Sequence, residues 1–214
     1  PTGSIMPAAH KQALLRLCQQ QDVALIEDDT YGALVDDAVL REEPLRAIKS
    51  WDDSGHVVHC ASLHKSLAPG LRLGWVVGSQ NLIHQLSVQR DYSTISVGMV
   101  DDLLATIALE SADAILERSR SITRTNLAML SDWVDSQPLI HWVKPHSGTT
   151  ALLKYDLPMT SRELCVDLVE STGVMLTPGS ALGVEGYLRI GYANSTEVLR
   201  KGLDVFGQYL AEHA

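Results

Sequence analysis

Lys65 sits in the stretch ASLHKSLAPGLRLGWVVG (61–78), between Ser62 and His64 on one side and Ser66 and the Pro69-Gly70 pair on the other, with Arg72 opening an apolar run. An amine whose pKa is depressed can form a Schiff base with a carbonyl. Upstream, VALIEDD ends in Glu27, Asp28 and Asp29, and Tyr31 follows. A carboxylate can keep a ring nitrogen protonated, while Ser62 and Arg72 offer a hydroxyl and a forked cation suited to a phosphate monoester. Each residue also has a plain reading. Lys65 alone is a solvated loop lysine, Asp28 a turn acid and Tyr31 a half-buried aromatic. Arg72 pairs with any surface acid, and Arg189 lies in an alternating strand where half the residues face solvent. The combination, not any one member, points to chemistry.

The elements around them can be read from periodicity. Pro7 to Gln21 carries Leu14, Leu15, Leu17 and Cys18 at helical spacing, with Ser4 as a candidate cap. VALIEDD reads as a buried parallel strand with polar groups at its carboxyl tip. After a polar stretch to Gly55, His56 to Ser62 and Leu73 to Gly78 read as two further strands that bracket Lys65. Helical spacing returns over 81–89 and 100–109 and continues over Ala112 to Val134, with Arg118, Arg120 and Arg124 on the polar face. Beyond Pro138, TALLKYDLP and GYLRIGYAN are strand-like, separated by the helical SRELCVDLVEST and closed by the helical EVLRKGLDVFGQYLAEH. That order fits a small α+β unit. Ligands in open α/β sheets bind outside the carboxyl ends of the strands, where Asp28 and Ser62 fall.

Bulk properties narrow the class. The chain has 214 residues, 45% of them apolar, enough for one large core or two small ones. A formal charge of -9 with scattered Lys and Arg argues against a phosphate-backbone partner. No apolar run is long enough for a spanning helix and no leader pattern opens the chain, so it reads as a cytoplasmic protein. Cys18, Cys60 and Cys165 are odd in number and far apart, which suits reduced thiols. His56 and Cys60 alternate away from His59, so that cluster does not converge on a metal.

A Schiff-base lysine together with a carboxylate for a ring nitrogen meets the needs of pyridoxal phosphate. At this point the chain resembles the fold-type I pyridoxal-phosphate aminotransferases of class I/II. The opening PTG is similar to the end of that family's Asn-Pro-Thr-Gly turn. IEDDTYGAL is similar to its aspartate and tyrosine segment. SLHKSLAPGLRLGWVVG resembles its Ser-x-x-Lys segment with the downstream phosphate arginine, in the spacing of the branch that includes MocR-type effector domains. YLRIGYAN is similar to the strand that carries the substrate-carboxylate arginine.

The resemblance implies an α/β fold. Residues 1–112 would be the later part of a fold-type I large domain, a mainly parallel sheet with helices on both faces, and 113–214 an interdomain helix and a small α+β domain. It implies Lys65 as the Schiff-base lysine and proton carrier, Asp28 at the pyridine nitrogen and Tyr31 at the phenolic oxygen. Asp28 is preferred to Asp29 because the family spaces aspartate and tyrosine this way. Ser62 and Arg72 would hold the phosphate, and Arg189 the α-carboxylate of the substrate. His64 stands where many relatives carry a small polar residue, and either tunes the phosphate site or fills space. DYSTISVGM corresponds to a loop reaching a neighbour's phosphate in a homodimer.

The implied activity is transfer of an amino group between an amino acid and a 2-oxo acid. The asparagine before Pro1, a phosphate-cupping loop and a ring-stacking aromatic are expected in an N-terminal part of the same protein. Two other readings remain open. One is a MocR-type effector domain, with nucleic acid as a partner only through an upstream winged helix. The other is a lyase or cyclase on the same fold, since Thr149 and Thr150 in HSGTTALLKYDLP depart from the usual Gly-Gly-aromatic pattern.

Overall fold

A computed structural model describes residues 1–213 apart from 36, 43 and 44. The fold is mixed α/β. It divides into two compact units, Met6–Arg118 and, separately, Pro1–Ile5 with the chain from Ser119 onward.

The first unit opens with α1 (Ala8–Gln20). Pro7 occupies the N-cap position, so Ser4 is not the cap; proline suits a helix start because the missing N–H would have had no helical partner. The helix leads to β1 (Leu25–Asp28), which pairs in parallel with β2 (Val57–Ser62) from Leu25 opposite Val57 to Asp28 opposite Cys60. The third strand, β3 (Gly74–Val77), lies antiparallel to β2 at the other edge of this three-stranded sheet. Short helix α2 (Asp37–Glu42) and a 3-10 turn at Ile48–Trp51 fill the polar stretch between β1 and β2; α3 (Gln80–Asp91) and α4 (Met99–Glu110) follow β3. A small core of Leu15, Ile48 and Val57, with Leu14, Leu25 and Trp51 against it, seats α1 and the 3-10 turn on one face of the sheet.

The other face departs from the expectation of a buried strand. Ile26 is 70% exposed, and Val76, opposite Cys60 on the same face, is exposed as well. Alternation puts Leu25 and Glu27 toward the α1 side and Ile26 and Asp28 away from it, where both are exposed.

The second unit is built on a four-stranded antiparallel sheet in the order β4 (Ile140–Trp142), β5 (Thr150–Tyr155), β7 (Tyr187–Gly191), β6 (Thr177–Pro178). The long helix α5 (Ala112–Ser136), α6 (Ser161–Thr172) and α7 (Thr196–Glu212) supply Leu130, Leu164, Leu168, Leu203 and Phe206 to one core with Ala151, Leu153, Leu188 and Ile190 of the sheet. Helix α6 starts with a Thr160–Glu163 capping box and stops at Gly173 in the left-handed region. The opening PTG turn joins this unit. Gly3 (φ +64°) accepts N–H bonds from His146 and Ser147, and a Cβ on it would lie 2.2 Å from that of Pro145. Cys18, Cys60 and Cys165 are free thiols. Among the described residues, no helix is long and apolar enough to cross a membrane.

The start of β2 depends on Asp52, whose side chain has no solvent exposure. Its Oδ1 accepts from the N–H groups of Ser54, Gly55 and His56, its Oδ2 accepts from Val57 N–H, and Lys49 Nζ pairs with it at 2.9 Å. Burial alone would raise its pKa; Lys49 and these donors outweigh burial and hold the carboxyl well below the ordinary value. The native state therefore favours the carboxylate, and its stabilisation is present above the unfolded value near 3.8 and lost as pH falls below it. Asp52→Asn should cost about 1–3 kcal/mol at pH 7. In urea titrations the gap between the two proteins should narrow below about pH 4; a constant gap would refute this account.

Candidate active site

Parallel pairing of β1 and β2 sets their carboxyl ends side by side, and the ladder continues one step beyond β1, where Asp29 N–H donates to Cys60 O at 2.8 Å. The three acids at the end of β1 then have different surroundings. Glu27 turns toward α1 and accepts from Ile48 and Lys49 N–H, with His59 Nδ1 at 3.2 Å and Lys11 Nζ at 3.8 Å. It is a structural anchor for the 3-10 turn. Asp29 folds under the next turn, where Gly32 N–H bonds to it, and burial pushes its carboxyl pKa up. Asp28, on the opposite side of the strand, is exposed. Of the three, it alone presents an open carboxylate.

Lys65 stands on the turn after β2. Leu63, 1% exposed, anchors that turn: its N–H donates to Leu73 O and its carbonyl accepts from Leu67 and Ala68. Lys65 itself is exposed, and its Nζ lies 5.8 Å from the centroid of the Tyr31 ring. No ion pair to Lys65 occurs among the described residues. The ends of β1 and β2 thus bring the amine and the phenol together over a long sequence separation.

Ser62 closes β2 opposite Gly74. A Cβ on Gly74 would fall 2.7 Å from Ala61 O and 3.1 Å from Ser62 Cβ, so glycine permits the close approach of β3 that holds this end of the loop. Arg72 adopts a left-handed backbone conformation (φ 52°, ψ 31°) at the end of a 3-10 turn over Pro69–Leu71. For a residue with a Cβ this costs about 1 kcal/mol or more, and such strain concentrates at functional positions. Its guanidinium lies against the His64 ring, with Nη1 2.5 Å from Nδ1 and 3.2 Å from Nε2.

Asp28, Tyr31, Ser62, Lys65 and Arg72 all belong to the first unit. Arg189 belongs to the second. It lies on β7 between buried Leu188 and Ile190, and its Nη2 donates to Thr177 Oγ1 at 3.1 Å across the β6–β7 pair. Sequence reading passed over Thr177, because only the strand register places it beside Arg189. The neighbouring histidines have local partners: His59 meets Glu27, and His56 meets Asp22 and Ser54.

A family description, aminotransferase class I and II, matches residues 1–206. The chain belongs to that family. Among solved structures, a PLP-dependent aminotransferase from Streptococcus suis superposes with a TM-score of 0.92 at 31% identity, covering 100% of this chain and 55% of that one. Capreomycidine synthase from Streptomyces vinaceus is 29% identical over all of this chain and 54% of its own length. An uncharacterized HTH-type transcriptional regulator from Bacillus subtilis, YdfD, is 31% identical over all of this chain and 45% of its own. This aminotransferase-family chain therefore spans about half the length of the curated relatives it matches.

Gly74 supplies a test of the loop geometry. Gly74→Ala must displace β3 from Ala61 and Ser62, and should lower stability by about 1–3 kcal/mol in denaturant titration. A variant as stable as the parent would show that β3 does not hold the loop this closely.

Proposed function

We propose that this chain carries the lysine-bearing half of a pyridoxal-phosphate site, in a protein that moves an amino group between an amino acid and a 2-oxo acid. The observation that carries this reading is the meeting of Lys65 Nζ with the Tyr31 ring at the shared ends of β1 and β2, beside the open Asp28 carboxylate. The residues present fit the group chemically: an amine without an ion-pair partner among the described residues, an exposed carboxylate, a phenol, a hydroxyl and a guanidinium. Membership in the aminotransferase family supports the same reading.

Pyridoxal phosphate, when bound, supplies a carbonyl for the lysine and an electron sink for the pair released at the substrate Cα. Lys65 would hold the group through Nζ and would take up and return the substrate Cα proton. Asp28 keeps the pyridine nitrogen protonated by offering a full negative charge; each pKa unit so gained is worth about 1.4 kcal/mol. Tyr31 would donate its O–H to the ring's phenolic oxygen. Ser62 and Arg72 bind the phosphate, the guanidinium through paired N–H groups. Arg189 binds the α-carboxylate and so orients the Cα bond to be broken, an effect worth several kcal/mol in rate. The whole protein is proposed to work in the cytoplasm as a homodimer, with the segment around DYSTISVGM reaching the neighbouring site.

A second reading is a ligand-sensing domain, favoured by the 31% identity to a helix-turn-helix regulator. A third, elimination or cyclisation on the same scaffold, is favoured by the likeness to capreomycidine synthase. Incubating the full-length protein with amino acids and 2-oxo acids separates them: an aminotransferase yields a new amino acid, a lyase or cyclase consumes its amino acid without aminating the 2-oxo acid, and a sensor shifts its absorbance without turnover.

Two substitutions in the full-length protein check the assignment. Lys65→Ala should abolish the visible absorbance of bound cofactor and its fixation by borohydride; an unchanged spectrum would remove Lys65 from the role. Arg189→Ala should weaken amino-acid binding by about 100-fold, in line with loss of a bidentate charged contact, while cofactor absorbance stays. Equal substrate affinity would refute the carboxylate role.

A further inference from the structure

Arg189 lies on the sheet face opposite the core, since Leu188 and Ile190 on either side of it turn inward. The register sets Leu152 of β5 on one flank of Arg189 and Thr177 of the edge strand β6 on the other. The Leu152 side chain has no hydrogen-bonding atom, and no ion pair to Arg189 occurs among the described residues. Nη2 donates to Thr177 Oγ1 at 3.1 Å. The half-buried guanidinium is therefore held from one flank, by a neutral acceptor that leaves its charge unmatched.

Taking a hydrogen from Nη2 has a geometric consequence. A guanidinium grips a carboxylate with two parallel N–H groups along either of two edges, Nε with Nη2 or Nη1 with Nη2. Both edges need Nη2, and each uses a different one of its two hydrogens. Once Thr177 accepts one of them, a single complete edge remains. Thr177 is suited to the task by sequence. It is β-branched, which limits its side-chain rotation, and it precedes Pro178, which confines its backbone to the extended region. The acceptor is fixed before any ligand arrives.

We propose that Thr177 is a positioning residue for carboxylate recognition: by occupying one Nη2 hydrogen of Arg189, it leaves the guanidinium one edge, and so one pose, for a substrate carboxylate. This inference rests on the reading of Arg189 as the carboxylate ligand. It adds a residue that acts through Arg189, not on the substrate.

The test is calorimetric titration of the full-length protein with the common L-amino acids, without a 2-oxo acid, and then with the α-carboxamide of the tightest binder. The two ligands differ in the group offered to Arg189, so the ratio of their dissociation constants isolates the carboxylate contact. Arg189→Ala should collapse the ratio. Thr177→Val, which removes the hydroxyl at nearly constant shape, should lower it about fivefold, the scale of ordering one long side chain. Thr177→Ser keeps the acceptor and should hold the ratio within about twofold of the parent. Adding Thr177→Val to Arg189→Ala should cause no further loss.

An unchanged ratio in Thr177→Val overturns the inference. So does an equal loss in Thr177→Ser and Thr177→Val, in proteins with the parent's circular dichroism and melting temperature. A double variant whose loss is the sum of the singles also overturns it, since Thr177 would then act independently of Arg189. If Arg189→Ala leaves the ratio unchanged, or no amino acid binds, the carboxylate role of Arg189 falls and the inference with it, a different result from loss of the orienting contact alone.

Discussion

The parallel register of β1 against β2 is the constraint on which the candidate site depends. Side chains alternate along a strand, so a slip of one residue would exchange the places of Glu27 and Asp28. Two things fix the register. Leu25 packs with Leu15, Ile48 and Val57, and Glu27 satisfies the N–H groups of Ile48 and Lys49. Leaving those donors unpaired away from water would cost about 1–3 kcal/mol each. Asp28 is held outward because its neighbours on both sides are needed inward. Asp28, whose side chain makes no hydrogen bond or ion pair among the described residues, is thus placed by its structural neighbours.

The Lys65 loop is closed at both ends by the same sheet. Ser62 opposite Gly74 and the bond from Leu63 N–H to Leu73 O join its two flanks, and buried Leu63 pins the turn between them. The amine therefore moves on a flexible four-carbon stem from a fixed base. Under the proposed assignment, that suits a group that must attach, detach and carry a proton, since the stem can swing while the backbone stays in place.

Much of this was legible in the sequence, and the exceptions have physical causes. The strands at 25–28 and 57–62 and the helices from α3 to α7 follow from apolar periodicity, and the residues proposed for the site stand out by their types and spacing. Strands β4 and β6, of three and two residues, are too short for any period to register. The Asp52 hub lay hidden in a polar stretch because a turn carboxylate reveals its donors only when the backbone is folded around it. Ile26 reads as a buried residue from its type, yet burial depends on a covering layer, not on the strand. Thr177 and Arg189 are twelve positions apart and meet only through the β6–β7 register.

The second unit contrasts with the Lys65 turn in how it carries its arginine. Leu188 and Ile190, on either side of Arg189, are fully or nearly fully buried, so the strand is as fixed as the core itself. Beyond β7 the chain is held again: buried Asn126 on α5 donates to the carbonyls of Tyr192 and Asn194, and Tyr192 O–H reaches Gly148 O. Thr177 takes one N–H of the guanidinium, which has five, and so fixes its orientation while leaving donors for a bidentate partner. A rigid base with spare, oriented donors suits a carboxylate that must be bound in one pose. Under the proposed assignment, the group that moves a proton sits on a loop and the group that sets the substrate's orientation sits on a strand, the division that these two tasks require.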